Sequence, residues 1–239
     1  MSEIKIHIFH IGKVCVAPEL PFGGEHYSAL KASGVLDRQI RSLGSLPLYF
    51  TNQVVVESGA AIDEQLAARG VAPVDWDAVL LSHLDCDHAN GLKPVADAKK
   101  ILVLKDELRF AENGSPVNRI RYNADWWRGT KMQTFDWNGL MGSAGRSYDV
   151  FGDGMLVMVN IPGHSKGLCA LRITGRTGGC ADGGHAKKSW EQMLLSGIAD
   201  DRAAQKKSLA WIRTQSRERN CVACIANHDF DVKPGAITL

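Results

Sequence analysis

Apolar and polar positions along the chain alternate between two kinds of element. The opening run Met1 to His10 reads as a first strand, and the forty-odd residues that contain it are otherwise loop-like, broken by Pro18, Pro21, Gly23, Gly24 and Gly34. Residues 60–69 predict a helix, with Ile62, Leu66 and Ala67 on one apolar face and Gly70 as its stop. Short apolar strands are expected at 77–82, 101–104, 155–161 and 169–173, and a last one at Cys221 to Ala226. Helices are expected at 107–112 and at about 203–217. Strands and helices thus interleave, with several strands following one another directly. This predicts a mixed α/β architecture in which sheets pack inside helices. No internal boundary stands out, so residues 1–239 are expected to form a single domain.

Composition narrows the function classes. Apolar residues make up 45% and charged residues 23%, a globular balance rather than a disordered one. The net charge is +2 and the basic residues are scattered, which argues against nucleic acid or an anionic membrane as partner. The N-terminus lacks a long apolar h-region, and no apolar run is long enough to span a bilayer, so a cytoplasmic location is expected. Six cysteines in 239 residues are too dilute for a disulfide scaffold. Cys221 and Cys224 are spaced like a metal or redox pair, but on a strand residues three apart face opposite ways, so the two sulfurs should diverge.

Four apolar runs each lead into a residue able to bind a metal. Ala78 to Ser82 leads into His83, Asp85, Asp87 and His88; Met155 to Ile161 leads through Pro162 and Gly163 into His164; Gly178 to Ala181 leads into Asp182; Cys221 to Asn227 leads into His228. A side chain at the end of a buried strand is positioned by the sheet yet faces a loop cleft. Imidazole and carboxylate together suit zinc, iron or manganese. A lone histidine after a strand is more often a hydrogen-bonded residue than a ligand, and Asp85 and Asp87 alone could be turn formers. The density of His83, Asp85, Asp87 and His88 within six positions is what argues for a metal.

The run Ser82-His-Leu-Asp-Cys-Asp-His-Ala-Asn-Gly91 resembles the metallo-β-lactamase signature His-x-His-x-Asp-His with one change. The downstream order, Pro162-Gly-His164, then Asp182, then His228, matches as well. Within that superfamily the wording is most similar to the N-acyl homoserine lactonase group. The resemblance covers about Val71 to the C-terminus and implies a four-layer αβ/βα sandwich with metals at one edge. It implies one ion on His83, Asp85 and His164, and a second on Asp87, His88 and His228, with Asp182 bridging them. Two divalent ions are thus expected, zinc first, with iron or manganese admitted at the Asp85 site. The implied chemistry is metal-assisted hydrolysis of a small-molecule lactone or ester, with Asp87 orienting the nucleophile. A homodimer is left open.

Three departures from the pattern stand out. Asp85 replaces the second histidine of the signature, and a buried carboxylate there calls for a cation to offset its desolvation. His185 stands where the lactonases carry a tyrosine, and its imidazole could donate to a developing oxyanion. No Asp-Thr-Gly-like turn occurs before Val71, the nearest run being Val54 to Gly59, so the N-terminal part is expected to be divergent or shortened. Two other readings stand beside the lactonase one. The same site could serve a thioester or a phosphodiester, with Lys187 and Lys188 nearby, or the chain could be a metal-poor relative that only binds a ligand. Trp126, Trp127, Trp137 and Phe151 could line an acyl pocket or simply pack.

Overall fold

The computed structural model describes residues 4–9, 12–16, 22–23, 53–58, 61–114, 121–174 and 184–238. Asp182, expected to bridge two ions, lies outside the described residues, as does most of the N-terminal loop region.

The centre is a parallel three-stranded sheet of β4 (Val79–Leu80), β5 (Ile101–Leu104) and β6 (Met132–Phe135), with β5 in the middle. All four residues of β5 are buried, as expected for a strand covered on both faces. Its apolar run therefore carries no period-two alternation. A second sheet, antiparallel, joins β7 (Ser147–Asp149), β8 (Leu156–Asn160) and β9 (Cys169–Ile173). Leu102, Leu104 and Phe135 of the first sheet share one cluster with Met158 and Cys169 of the second. The two sheets thus bury a common core between them.

Three N-terminal strands complete the described framework. Strand β1 (Lys5–Ile8) pairs antiparallel with the last strand, β10 (Gly235–Thr238), and β2 (Gly12–Val16) pairs antiparallel with β3 (Gln53–Ser58). The run Val54 to Ser58 is thus a paired strand although its ending does not spell the familiar turn.

Helices cover the outer faces. Helix α1 (Ile62–Ala67) precedes β4, and α2 (Cys86–Ala89), a single turn, follows it across residues 81–85. Helix α3 (Lys105–Glu112) follows β5 without a loop, because β5 ends where the period changes from continuous burial to a one-sided face. Helix α4 (Lys187–Glu191) is short, and α5 (Arg202–Gln215) is the longest. Asp201 caps α5 by accepting from the Ala204 amide at 2.9 Å. Gln205, Ser208, Leu209 and Ile212 are its buried residues, at the spacing of one helical face. Leu209 and Ile212 pack with Ile161, Leu168 and Trp190 in a second core.

One expected element is corrected. Cys221 to Ala226 forms no strand; the segment makes no sheet pairing, and only Ala226 is fully buried. The apolar run instead packs Cys224 and Ala226 against the α5 core. The argument that the two cysteines diverge because they lie on a strand therefore loses its footing, though neither joins a candidate metal cluster among the described residues. Trp127 is buried in the core and Trp137 packs beside Phe135, whereas Phe151 is exposed. No described helix is long and apolar enough to cross a membrane.

Candidate metal centre

Four chain segments converge at one end of the two sheets. Strand β4 hands over to residues 81–85, held by the Leu81 amide donating to Leu102 O at 2.9 Å and by the Cys169 amide donating to Ser82 O at 3.0 Å. The second contact stitches the exit of β4 to the start of β9. Ser82 Oγ lies 3.0 Å from His83 Nδ1, which orients the ring. Helix α2 then turns tightly enough for the amides of His88 and Ala89 both to donate to Asp85 O at 3.0 Å. That turn carries Asp87 and His88 back towards the ring of His83, which is 4.2 Å from the ring of His88.

The Pro162-Gly163-His164 turn is clamped by α5. Ser208 Oγ donates to Pro162 O at 2.8 Å, and the Asp201 amide donates to Gly163 O at 2.9 Å. Gly163 has φ 141°, and a Cβ there would overlap the backbone of Gln205. Only glycine allows α5 to lie this close, and that closeness delivers His164. His185 and His228 are tied together by Asp229, whose carboxylate accepts from the Lys187 amide at 2.7 Å.

These constraints gather five imidazoles. The rings of His83 and His164 are 5.3 Å apart, His164 and His185 5.3 Å, His185 and His228 5.5 Å, and His88 and His228 5.6 Å. Two groups of three have ligand atoms within 4.8 Å of one another: His83, Asp85 and His164, and Asp87, His88 and His228. The structure thus brings together every described residue that the sequence marked as a ligand. His185 lies beside both groups, between His164 and His228.

The two triplets have different surroundings. His83, Asp85 and His164 are 0%, 4% and 4% exposed, whereas the side chains of Asp87, His88 and His228 are 28%, 13% and 30% exposed. The open triplet fits a divalent ion: a carboxylate and two imidazoles, close together, with a face left for water or substrate. Its Asp87 Oδ2 lies 3.2 Å from His228 Nε2 and 3.7 Å from His88 Nε2. Burial works against ionisation of Asp87, but His88 and His228 outweigh it and hold the carboxyl well below the usual range.

The sealed triplet has the right donor atoms but is already engaged by Arg121, a residue no motif singles out. Arg121 Nε donates to Asp85 Oδ2 at 2.6 Å, and Nη2 lies 3.1 Å from His164 Nε2. Burial opposes ionisation of Asp85, yet the guanidinium, aided by His164 and His83, holds its carboxyl far below the ordinary range. The donor set alone would suit an ion; the fixed cation against it does not.

A second unforeseen residue, Glu107 of α3, is completely buried behind both triplets. Its Oε1 accepts from the Leu84 amide at 3.1 Å, and its Oε2 accepts from the Gly167 amide at 2.8 Å and from Ser165 Oγ at 3.1 Å. One carboxylate therefore braces the residue between His83 and Asp85 and the residues just after His164. Burial pushes the Glu107 carboxyl up, against the pull of those donors. A sequence signal exists here: Glu107 occupies, with Ala111, the buried face of α3, where a carboxylate needs partners. The lysines that favoured a phosphodiester have local partners. Lys187 pairs with Glu191 at 3.5 Å, and Lys188 Nζ sits 3.9 Å from the centre of the Phe22 ring.

Comparison with known proteins bears on the fold. Residues 51–143 match the profile described as "Metallo-beta-lactamase superfamily". The N-acyl homoserine lactonase AttM of Rhizobium radiobacter is 26% identical over 188 residues, covering 74% of this chain and 67% of the relative. The AttM lactonase of Azorhizobium caulinodans is 28% identical over 181 residues, covering 71% and 64%. The chain thus spans about two thirds of the length of these curated relatives. Among solved structures, an N-acyl homoserine lactone hydrolase with N-hexanoyl-L-homoserine bound at its catalytic metal centre superposes with TM-score 0.65 at 16% identity, over 96% of this chain and 93% of that one. AidC, a dizinc quorum-quenching lactonase, superposes with TM-score 0.58 at 14% identity, over 99% and 96%. The fold is the metallo-β-lactamase fold, a sandwich of mixed sheets and helices.

Proposed function

We propose that this chain, a metal-dependent hydrolase of the metallo-β-lactamase superfamily, opens lactone rings or cleaves closely related carboxylic esters. The observation that carries the reading is the open triplet of Asp87, His88 and His228, with the His185 ring 5.5 Å from that of His228. The lactonases among its relatives give the substrate class its direction.

Asp87, His88 and His228 would hold a divalent ion, zinc before iron or manganese. Such an ion supplies Lewis acidity and lowers the pKa of a coordinated water. The chain's own residues do the rest. Asp87 orients the attacking water through its carboxylate. His185, half-buried at the mouth, donates a hydrogen bond to the carbonyl oxygen as negative charge develops on it. Glu107 ties the loop that carries Asp87 and His88 to the turn after His164, so the groups meet the carbonyl in one geometry.

The test is a substrate panel on protein purified without chelators: N-acyl homoserine lactones of several acyl lengths, simple aryl esters, an acyl thioester and an aryl phosphodiester. Lactone or ester turnover should be greatest, should vanish on metal stripping and should return with added zinc. Undiminished turnover by metal-free protein would refute the metal-dependent reading. A clear preference for the thioester or phosphodiester would move the substrate class while leaving the site intact.

A further inference from the structure

The sealed triplet and Arg121 solve one electrostatic problem between them. A carboxylate at position 85 that is only 4% exposed needs a cation in contact with it. Arg121 provides one at 2.6 Å. The guanidinium is used up in doing so. Nε donates to Asp85; Nη1 faces Ile198 O at 3.3 Å and Asp200 Oδ1 at 3.4 Å; Nη2 faces His164 O at 2.9 Å and His164 Nε2 at 3.1 Å. An arginine has five N–H donors; four of them meet oxygen acceptors, and the fifth faces the His164 Nε2 nitrogen. The group is therefore a fixed internal cation, held on all three of its nitrogens by the protein itself.

From this we infer that the Arg121 guanidinium takes the place of the first cation, so that the chain binds one divalent ion, at Asp87, His88 and His228, beside a built-in organic charge. Three features converge on it. The atoms an ion would need at the sealed triplet, Asp85 Oδ2 and His164 Nε2, are the same atoms that face Arg121. His164 Nε2 either accepts from Arg121 or donates to Asp85 Oδ2, 3.2 Å away, and in both cases it is engaged within the protein. Admitting an ion would place two like charges together, or would require the guanidinium to leave and orphan its acceptors. Asp85 and Arg121 thus form a matched pair: a ligand position changed to a carboxylate, and a cation supplied from 36 residues away. Arg121 acts here as a positioning residue, holding Asp85 and His164 where a metal would otherwise hold them.

This deepens the hydrolase reading, but its test does not depend on turnover. Metal content of the full chain would be measured by plasma mass spectrometry after saturation with zinc. Cobalt(II) titration followed by visible absorption would report the coordination. The parent should hold about one equivalent, His228→Ala about none, and His83→Ala still about one. Arg121→Ala should admit a second equivalent, roughly doubling the content, while Arg121→Lys, which keeps the charge, should stay near the parent. Two equivalents in the parent would overturn the inference, as would none. So would a single equivalent that survives His228→Ala and is lost in His83→Ala, or a folded Arg121→Ala chain that stays at one. If Arg121→Ala does not fold, the parent and the two histidine variants decide the matter alone. One bound ion without turnover of any member of the substrate panel would refute the hydrolase reading and leave this one standing.

Discussion

Substituting Glu107 by glutamine isolates the brace beside the candidate metal centre. The carboxylate accepts a backbone N–H on each oxygen, from Leu84 on Oε1 and from Gly167 on Oε2. A glutamine has one acceptor oxygen and one NH2 group. In either orientation it must point N–H at N–H, on one side or the other, whatever the protonation state of the parent carboxyl. Turning its oxygen towards Gly167 would spare the 2.8 Å contact and sacrifice that to Leu84, between His83 and Asp85. There is no room to relax, since Gly167 is already so close that a Cβ there would come within 2.6 Å of Glu107 Cβ. Orphaning one buried donor costs about 1–3 kcal/mol. Glu107→Leu orphans both amides and should cost about 2–6 kcal/mol. In urea, a loss of about 2 kcal/mol with a slope near 3 kcal/mol/M lowers the midpoint by roughly 0.7 M. Metal affinity should fall together with stability, by roughly 10- to 100-fold, because the brace orients the loop that carries Asp87 and His88. Paired urea titrations and chelator competition check both effects. A Glu107→Gln chain within about 0.5 kcal/mol of the parent, with unchanged metal affinity, would refute the accounting of donors and acceptors.

Other substitutions probe separate links in the chain of reasoning. Gly163→Ala forces a Cβ into the Gln205 backbone at φ 141° and should cost about 3 kcal/mol or more, read as a large drop in melting temperature or loss of soluble protein. His185→Ala should leave metal content unchanged and lower kcat by about 100-fold, the scale of one lost oxyanion donor; an equal loss of bound metal would make it a ligand instead. Leu209→Ala, at a fully buried position of α5, should destabilise by about 2–5 kcal/mol and leave the metal stoichiometry as it was, which calorimetry and metal analysis report independently.

Much of the framework was legible from local pattern. The apolar run Ile101 to Leu104, the strand at Cys169 to Ile173 and the amphipathic stretch that became α5 all stand within a few residues of where they were expected. Each depends on a period repeating over neighbouring positions, which a sequence displays directly. The candidate ligands were visible for a similar reason: His83, Asp85, Asp87 and His88 crowd six positions, and the fold brings them together with His164 and His228. The failure at Cys221 to Ala226 marks the limit. An apolar run does not by itself make a strand, which also needs a neighbour to pair with, and none lies alongside among the described residues.

What tertiary structure alone decided are the pairings between residues far apart in the chain. Glu107 meets Leu84 across 23 residues and Gly167 across 60, and α5 closes onto Gly163 from a segment that shares no motif with it. Contacts of this kind leave no periodic trace. Position 85 shows the division most clearly. The sequence by itself showed a carboxylate where the signature has an imidazole, and led to the expectation of a metal ion upon it. Whether the neighbouring charge is a metal or a guanidinium could not be read from Asp85, because both satisfy the same electrostatic demand. Only the fold, by bringing Arg121 to 2.6 Å from it, made the choice.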